Sequence, residues 1–227
     1  MVTSFNKLTC PDANIFIHSS ITTDNPYKYC KKYFIDLKDS RTLKGLLLAT
    51  VRKRLDYWLL GLPGAIKYFF TYCKNKRLAP KVYLQIIISD KTVNRRIKTY
   101  SNVIGNILAQ KIDENKINDV ARELRVNINS KFQIFTKVPN FIIENNIDVG
   151  YKKRVFDELK ILANNFSDEE DSEHLALLKH FINQKNVTET IIFLTEDSGL
   201  NGIAGQVLSW SSNLISIKTC ESFFGNP

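Results

Sequence analysis

Apolar positions along this chain predict strands that alternate with helices, most clearly in the last third. Residues 171–184 have the apolar spacing of a helix, and residues 190–195 form a short apolar run typical of a buried strand. A second helix at 202–209 and a second strand at 213–219 follow. This alternation predicts a parallel α/β sheet with helices on both faces. Because ligands of such sheets bind beyond the carboxyl ends of the strands, we expect functional residues there.

The first part of the chain predicts a strand or strand end, a turn and two helical regions. Residues 14–19 are a short apolar run, and after a polar turn residues 27–37 have helical spacing. Residues 43–60 again predict a helix, which the Gly-Leu-Pro-Gly segment at 61–64 is expected to stop. A further helix is predicted at 65–74.

The middle of the chain is less clear. Residues 82–89 are apolar and β-branched, but the apolar positions that follow have helical spacing, so both strand and helix stay open there. Residues 111–165 are predicted to be largely helical. Because no repeat or Pro/Gly/Ser-rich linker interrupts the sequence, we expect one domain over residues 1–227, with a mostly helical elaboration at 57–165.

The composition, 44% hydrophobic and 24% charged, is that of a globular protein able to bury one sizeable core. The N-terminus has no apolar run of the kind that secretory signals need, so we expect a cytoplasmic protein. Residues 57–70 are the most membrane-like, but Pro63 and Lys67 interrupt them well before the roughly 20 apolar residues that span a bilayer. We therefore expect no membrane insertion.

Two other features of the composition bear on chemistry. The four cysteines lie far apart, with no C-x-x-C pair and no histidine at zinc-ligand spacing, which favours reduced, buried thiols. Residues 1–100 carry 19 Lys and Arg against 6 Asp and no Glu, whereas residues 101–227 carry 13 against 17 acids. A basic first half suits a polyanion such as nucleic acid.

Three aspartates stand where a parallel sheet places its functional residues. Asp12 lies at the edge of an apolar run, Asp197 lies just past a strand, and Asp171 opens a helix within a loop where five of six residues from 168 to 173 are acidic. Carboxylates from different strand ends can converge on one Mg²⁺, which needs one or two of them plus water and phosphate. Asp12 and Asp197 could instead cap the helices that follow them, and the acidic loop around Asp171 could be a solvated acidic N-terminal turn.

Three short motifs resemble those of the PIN-domain family, in the same order. Residues 12–17 (DANIFI) resemble the family's D-T-N opening, residues 171–177 (DSEHLAL) resemble its D-x-x-x-L-A helix start, and residues 194–197 (LTED) resemble its V-T-x-D strand end. Residues 198–204 (SGLNGIA) further resemble the segment after the last acid in archaeal and ribosome-maturation members. The resemblance covers both ends of the chain and leaves the middle unmatched.

The resemblance implies a three-layer α/β fold with a central parallel sheet and a helical middle insertion. It also implies a Mg²⁺- or Mn²⁺-dependent endoribonuclease that cleaves single-stranded RNA, in which Asp12, Asp171 and Asp197 are catalytic residues and metal ligands. By the same resemblance Thr195 would steady the last acid, Asn14 would fix the loop after Asp12, and Glu196 would be an auxiliary acid.

One position departs from the family pattern. Where the T-V-x-x-E-L motif of these families has a glutamate, residues 50–55 (TVRKRL) carry Arg54. Either another acid substitutes, or the site has lost a ligand, and an arginine in a carboxylate pocket could stand in for a cation or bind phosphate. A degenerate domain that binds RNA or a protein partner without cleavage, and a homodimer, therefore remain alternatives.

Basic residues that could follow an RNA backbone cluster at Arg52, Lys53 and Arg54 and again at Arg95 and Arg96, with binding expected to weaken as salt rises. His174 lies one turn from Asp171, although a satisfied core imidazole is the simpler interpretation. A small-molecule enzyme is disfavoured, because G-x-G-x-x-G, Walker-type and G-x-S-x-G motifs are lacking.

Overall fold

A computed structural model gives the structure of the chain. It describes residues 7–21, 28–39, 43–89, 100–111, 116–137, 140–143, 146–163, 166 and 168–225. The strands of this part are β1 (Lys7–Pro11), β2 (Leu43–Leu48), β3 (Phe141–Ile143), β4 (Ile191–Leu194) and β5 (Ile215–Lys218). The helices are α1 (Ala13–Ser20), α2 (Lys28–Asp39), α3 (Ala49–Lys76), α4 (Pro80–Ser89), α5 (Ser101–Ala109), α6 (Ile117–Phe135), α7 (Val149–Leu162), α8 (Glu169–Lys185), α9 (Ser198–Gly202), α10 (Ala204–Trp210) and α11 (Cys220–Phe224).

The five strands form one parallel sheet in the order β3-β2-β1-β4-β5, flanked by helices. The chain proceeds outward from β1 to β2 and β3, and then returns to pair β4 with the other side of β1. The strand order therefore reverses between β1 and β4. In open α/β sheets this reversal leaves a crevice beyond the carboxyl ends of the two strands, which is the usual place for a ligand.

Contacts divide the chain into two compact units. The first consists of Met1–Ser19, Asn25–Arg54 and Ser130–Pro227 and contains the whole sheet; the second consists of Ser20–Asp24 and Leu55–Asn129 and is helical where it is described. The expectation of a single domain stays a prediction.

The strands β1, β2 and β4 in the middle of the sheet are largely buried on both faces, as parallel strands usually are. Leu46, Leu47 and Leu48 of β2 are each at most 1% exposed. The ring of Phe16 lies 4.9 Å from those of Phe34 and Phe132, which packs α1 against α2 and α6. Burying such large apolar side chains contributes roughly 1.5–3 kcal/mol each.

In the second unit, aromatic side chains pack between its helices. The ring of Tyr83 lies 5.4 Å from Phe69 and 4.6 Å from Tyr72, and the Trp58 ring stacks 5.2 Å from Tyr100. The Tyr100 hydroxyl donates a hydrogen bond of 3.0 Å to the carbonyl oxygen of Trp58.

Three predictions for the first part of the chain were wrong. Residues 14–19, predicted as strand, lie in helix α1, and the strand before them is β1. Residues 43–48, predicted as helix, form β2, because a short apolar run buried on both sides has the same pattern in either structure. The Gly-Leu-Pro-Gly segment does not stop the helix: Pro63 lies inside α3, and Leu62 beside it is fully buried.

The helix at 171–184 and the strands at 190–195 and 213–219 are confirmed within one or two residues at most ends. The segment left open at 82–89 is helix α4. Residues 111–165 are largely helical where they are described, with the addition of the short strand β3. No described helix is both long and apolar enough to cross a membrane.

Candidate active site at the sheet switch point

The backbone joins the ends of β1 and β4 where the strand order reverses. The amide of Asp12 donates a hydrogen bond of 2.8 Å to the carbonyl oxygen of Leu194, one residue beyond the last pairing of Pro11 with Leu194. Asp12 and Thr195 thus stand side by side at the carboxyl edge of the sheet. Asp12 is 2% exposed and Thr195 is fully buried.

A polar network fixes the Asp12 carboxylate. The Thr195 hydroxyl donates to Asp12 Oδ2 at 3.0 Å, and the Asn14 side-chain amide donates to the same oxygen at 2.8 Å. The Ala13 amide donates to Asp12 Oδ1 at 2.6 Å. The side-chain oxygen of Asn14 also accepts a hydrogen bond of 3.1 Å from the Glu196 amide, so Asn14 links the loops that follow β1 and β4. Buried carboxylates need such donors, because an unpaired one is costly.

Asp197 begins helix α9. Its Oδ1 accepts hydrogen bonds from the amides of Gly199 and Leu200 at 2.7 and 3.0 Å, and its own amide donates to the Thr195 hydroxyl at 3.1 Å. Asp197 therefore caps the N-terminus of helix α9. Its Oδ2 accepts no hydrogen bond from the residues that the structure describes.

Asp171 is not the cap of its helix. Asp168 occupies that position, with its Oδ1 accepting the amides of Glu170 and Asp171 at 3.0 and 3.2 Å. Asp171 lies one turn further on, is 8% exposed, and faces away from solvent. Because its side chain is buried, Asp171 does not fit the alternative interpretation of its loop as a solvated acidic helix N-terminus.

The three predicted aspartates interact electrostatically. Burial and, to a smaller extent, the negative charges of Asp168, Asp12 and Asp197 raise the pKa of Asp171 from 3.8 to about 8, although Arg54 acts to lower it. Carboxylates whose charge acts on Asp171 in this way lie near it. We call Asp12, Asp168, Glu170, Asp171 and Asp197 the acid cluster.

Arg54 is the cation of this cluster. Its Nε lies 3.1 Å from Glu170 Oε1, and its Nη1 lies 3.8 Å from Asp12 Oδ1. Burial lowers the pKa of Arg54, but the neighbouring carboxylates, Asp12 foremost, raise it overall, so the guanidinium stays charged. The arginine at the position where the PIN-domain pattern has a glutamate thus contacts Asp12, one of the three acids that the resemblance assigns to a metal, and Glu170, which is not one of them.

A buried histidine lies near Asp12 of the acid cluster. His174 is fully buried, and its Nδ1 lies 4.0 Å from Asp12 Oδ1. Neither ring nitrogen has a hydrogen-bond partner in the described part of the chain. Burial lowers the pKa of His174, so the imidazole is neutral at pH 7.

The carboxylate oxygens of Asp12, Asp171 and Asp197 suit a hard divalent cation, but they do not form a complete coordination shell. The oxygens of Asp12, Asp171 and Asp197 do not all lie within 4.8 Å of one another; among described residues, the group of three that meets this distance is Cys30, Glu196 and Cys220. Mg²⁺ keeps several waters and takes only one or two carboxylates directly. The partnerless Asp197 Oδ2 and the charge repulsion at Asp171 fit such binding.

Glu196 does not join the acid cluster. Its Oε1 accepts the amide of Cys220 at 2.9 Å, and the Cys30 thiol donates to the same oxygen at 3.7 Å. The two cysteine side chains are 1% and 0% exposed. The carboxylate predicted as an auxiliary acid therefore faces the opposite side of its loop, because side chains alternate in direction along an extended segment.

The predicted RNA-contacting residues are only partly described. Arg52 and Lys53 are exposed at the start of α3, and the Arg52 guanidinium lies 5.6 Å over the Phe132 ring. Arg54 binds carboxylates as described above. Arg95 and Arg96 lie outside the described residues.

A cavity of about 570 Å³ lies beside the acid cluster, between α7 and the first turn of α8. Lys152, Lys153 and Phe156 line one wall, and Glu170 and Glu173 line the other. Lys152 forms an ion pair with Glu173. Two lysine side chains and a phenylalanine ring therefore lie in the cavity near Glu170, one of the two acids that Arg54 contacts.

Sequence reasoning missed four residues of this edge. Asp168 and Glu170 were visible only as part of an acidic loop, with no signal to distinguish them from solvated charges. Cys30 and Cys220 lie 190 positions apart, and no local spacing could have paired them.

No family model matches this chain, and comparison with curated proteins and with solved structures yields no match either. The likeness to PIN domains therefore rests on the short motifs and stays a prediction.

Proposed function

We propose that this chain is a PIN-like endoribonuclease that hydrolyses phosphodiester bonds of single-stranded RNA with Mg²⁺ or Mn²⁺. One observation carries the proposal: beyond the point where the strand order reverses, the negative charges of Asp12 and Asp197 act on the buried carboxyl of Asp171 in the first turn of α8. This is where open α/β sheets bind ligands. Carboxylate oxygens are ligands that Mg²⁺ prefers.

Asp12, Asp171 and Asp197 would hold the cation in this proposal. When bound, the ion would lower the pKa of a coordinated water and neutralise charge on the phosphate. Thr195 and Asn14 hold the Asp12 carboxylate in one orientation through bonds of 3.0 and 2.8 Å. Such orienting partners typically matter 10–100-fold for metal affinity or activity.

Without a bound cation Asp171 has a pKa of about 8, so a cation that binds there at neutral pH would displace a proton from this carboxyl. His174 is too deeply buried to meet a substrate, and it acts instead by filling the space behind Asp12 without adding charge.

A second function, binding of RNA without cleavage, is favoured by Arg54. Its guanidinium already pairs with Asp12 and Glu170, so it competes with a metal for the same oxygens. Guanidinium also binds phosphate bidentately, which suits a site that holds RNA through charge alone.

Cleavage of an end-labelled single-stranded RNA in Mn²⁺, in Mg²⁺ and in EDTA separates the two functions. The nuclease proposal expects cleavage in either metal, none in EDTA, and at least about a 100-fold loss in Asp171→Asn and Asp197→Asn. Asp39→Asn, an exposed acid at the end of α2, is the matched control and should cleave normally.

Binding of the same RNA, measured by fluorescence anisotropy, decides how an absence of cleavage is to be interpreted. Tight binding of the unaltered chain with no cleavage in Mn²⁺ would overturn the nuclease proposal and support the binding function. Absence of both activities would overturn both.

A further inference from the structure

A second group of ligand atoms lies on the other side of the loop that follows β4. The Sγ atoms of Cys30 and Cys220 and a carboxylate oxygen of Glu196 all lie within 4.8 Å of one another. They come from the first turn of α2, from the loop after β4 and from the start of α11. All three belong to the unit that contains the sheet.

We infer that Cys30, Glu196 and Cys220 form a binding site for one thiophilic divalent cation of the Zn²⁺ type. Two sulfurs with one carboxylate are a donor set that Zn²⁺ accepts, whereas Mg²⁺ and Mn²⁺ prefer oxygen alone. On binding, both thiols release their protons to solvent and two metal–sulfur bonds form, with no change of oxidation state. Water would fill the fourth position.

One distance in the group matches a tetrahedral ion. Zinc–sulfur bonds of roughly 2.3 Å and zinc–oxygen bonds of roughly 2.1 Å put sulfur and oxygen about 3.6 Å apart. The observed separation of Cys30 Sγ and Glu196 Oε1 is 3.7 Å. The other two pairs of ligand atoms lie within 4.8 Å.

Burial and charge favour an occupant. Cys30 and Cys220 are buried, and the half-buried Glu196 has no lysine, arginine or histidine at ion-pair distance among the described residues. Its partners are the backbone amide of Cys220 and a weak thiol donor. A divalent ion would neutralise this carboxylate, and the amide would keep it aimed at the metal.

The site would also fix the loop that the acid cluster uses. Thr195 orients Asp12, Glu196 faces the cysteines, and Asp197 caps α9, so three consecutive residues serve two sites. A thiophilic ion would tie this loop to α2 and α11. We therefore assign it a structural role that is independent of whether the acid cluster cleaves RNA.

Titration of the reduced, metal-free full chain with Co²⁺, in excess Mg²⁺, tests the site. Thiolate-bound Co²⁺ gives a charge-transfer absorption that carboxylate-bound Co²⁺ lacks. We expect it to saturate at one equivalent and to disappear on addition of Zn²⁺, which binds such sites more tightly.

Variants identify the ligands. Cys30→Ser and Cys220→Ser should lose the absorption, and Glu196→Gln should weaken Co²⁺ binding by at least about tenfold. Cys73→Ser, a buried cysteine of α3 outside the group, is the control and should bind like the unaltered chain. Asp171→Asn should also bind normally, which separates this site from the acid cluster.

Three results would overturn the inference. They are a reduced chain that binds Co²⁺ without the absorption, an absorption that survives in folded Cys30→Ser, and unchanged affinity in Glu196→Gln. Glu196→Gln removes no buried apolar group, so it tests the site even if the cysteine variants fail to fold. A Cys30–Cys220 disulfide, seen as a loss of two hydrogens in the mass of the chain as isolated, with no metal uptake after reduction, would also overturn it.

Discussion

The Thr195 hydroxyl donates a hydrogen bond of 3.0 Å to Oδ2 of Asp12, although the two residues are 183 positions apart. The same hydroxyl accepts the amide of Asp197 at 3.1 Å. One side chain therefore links the acid that follows β1 to the acid that follows β4. The geometry of the acid cluster depends on this link.

Replacement of Thr195 by valine keeps the shape and removes the hydroxyl. We expect the free energy of unfolding to fall by about 1–2 kcal/mol, because Asp12 Oδ2 keeps only Asn14 as a donor. Chemical denaturation measures this change. Thr136→Val, which removes an exposed hydroxyl bonded to the Gln133 carbonyl, is the control and should change stability little. An equal loss in both variants would contradict the special role of Thr195.

The raised pKa of Asp171 predicts how stability depends on pH in the absence of divalent cations. Between pH 3.8, near the unfolded value, and about pH 8, the folded state holds a proton that the unfolded state has lost. The contribution of Asp171 to the free energy of unfolding therefore decreases as pH rises through this range and is lowest above pH 8.

The substitution Asp171→Asn should remove this decrease of the free energy of unfolding with rising pH. We expect the variant to be more stable than the unaltered chain at pH 8.5 by roughly 2 kcal/mol and to differ little at pH 4. Urea denaturation in EDTA at several pH values measures it, with Asp39→Asn as control. A slope that persists in Asp171→Asn would show that this carboxyl is not the titrating group.

Replacement of Arg54 by glutamate introduces the acid that the PIN-domain pattern has at this position. It removes the guanidinium that pairs with Asp12 and Glu170 and adds a carboxylate. We expect Mn²⁺ affinity to rise at least about tenfold, measured by calorimetry, because like charges crowd further without a cation. Arg122→Glu, at an exposed pair with Asp119, is the control. Unchanged Mn²⁺ affinity in Arg54→Glu would contradict a competition between arginine and metal.

Gly45 of β2 tests the packing of the sheet. A Cβ there would lie 2.6 Å from a ring carbon of Phe135 and 3.0 Å from a methyl of Leu37, both buried. We expect Gly45→Ala to lower the free energy of unfolding by about 1–3 kcal/mol. Gly64→Ala, in helix α3 with open space around the added carbon, should instead gain up to about 1 kcal/mol. Similar stability of the two variants would argue against this packing.

The sequence by itself determined the helix–strand order of the last third and the position of acids at strand ends, because apolar periodicity and local spacing are readable over a few residues. It misassigned β2, since a run such as Leu43–Leu48 is apolar whether a strand or a helix is buried on all sides. It also took Pro63 for a stop, although packing around Leu62 and Tyr100 sustains the helix.

Only the tertiary structure decided which side chains meet. The pairing of β4 beside β1 brought Asp12 to Thr195, the first turn of α3 brought Arg54 to Asp12 and Glu170, and the alternation of side chains turned Glu196 toward Cys30 and Cys220. These contacts join residues far apart in the chain. The energies of these contacts depend on burial and on the distance between charges. Neither quantity can be read from the spacing of residues along the sequence.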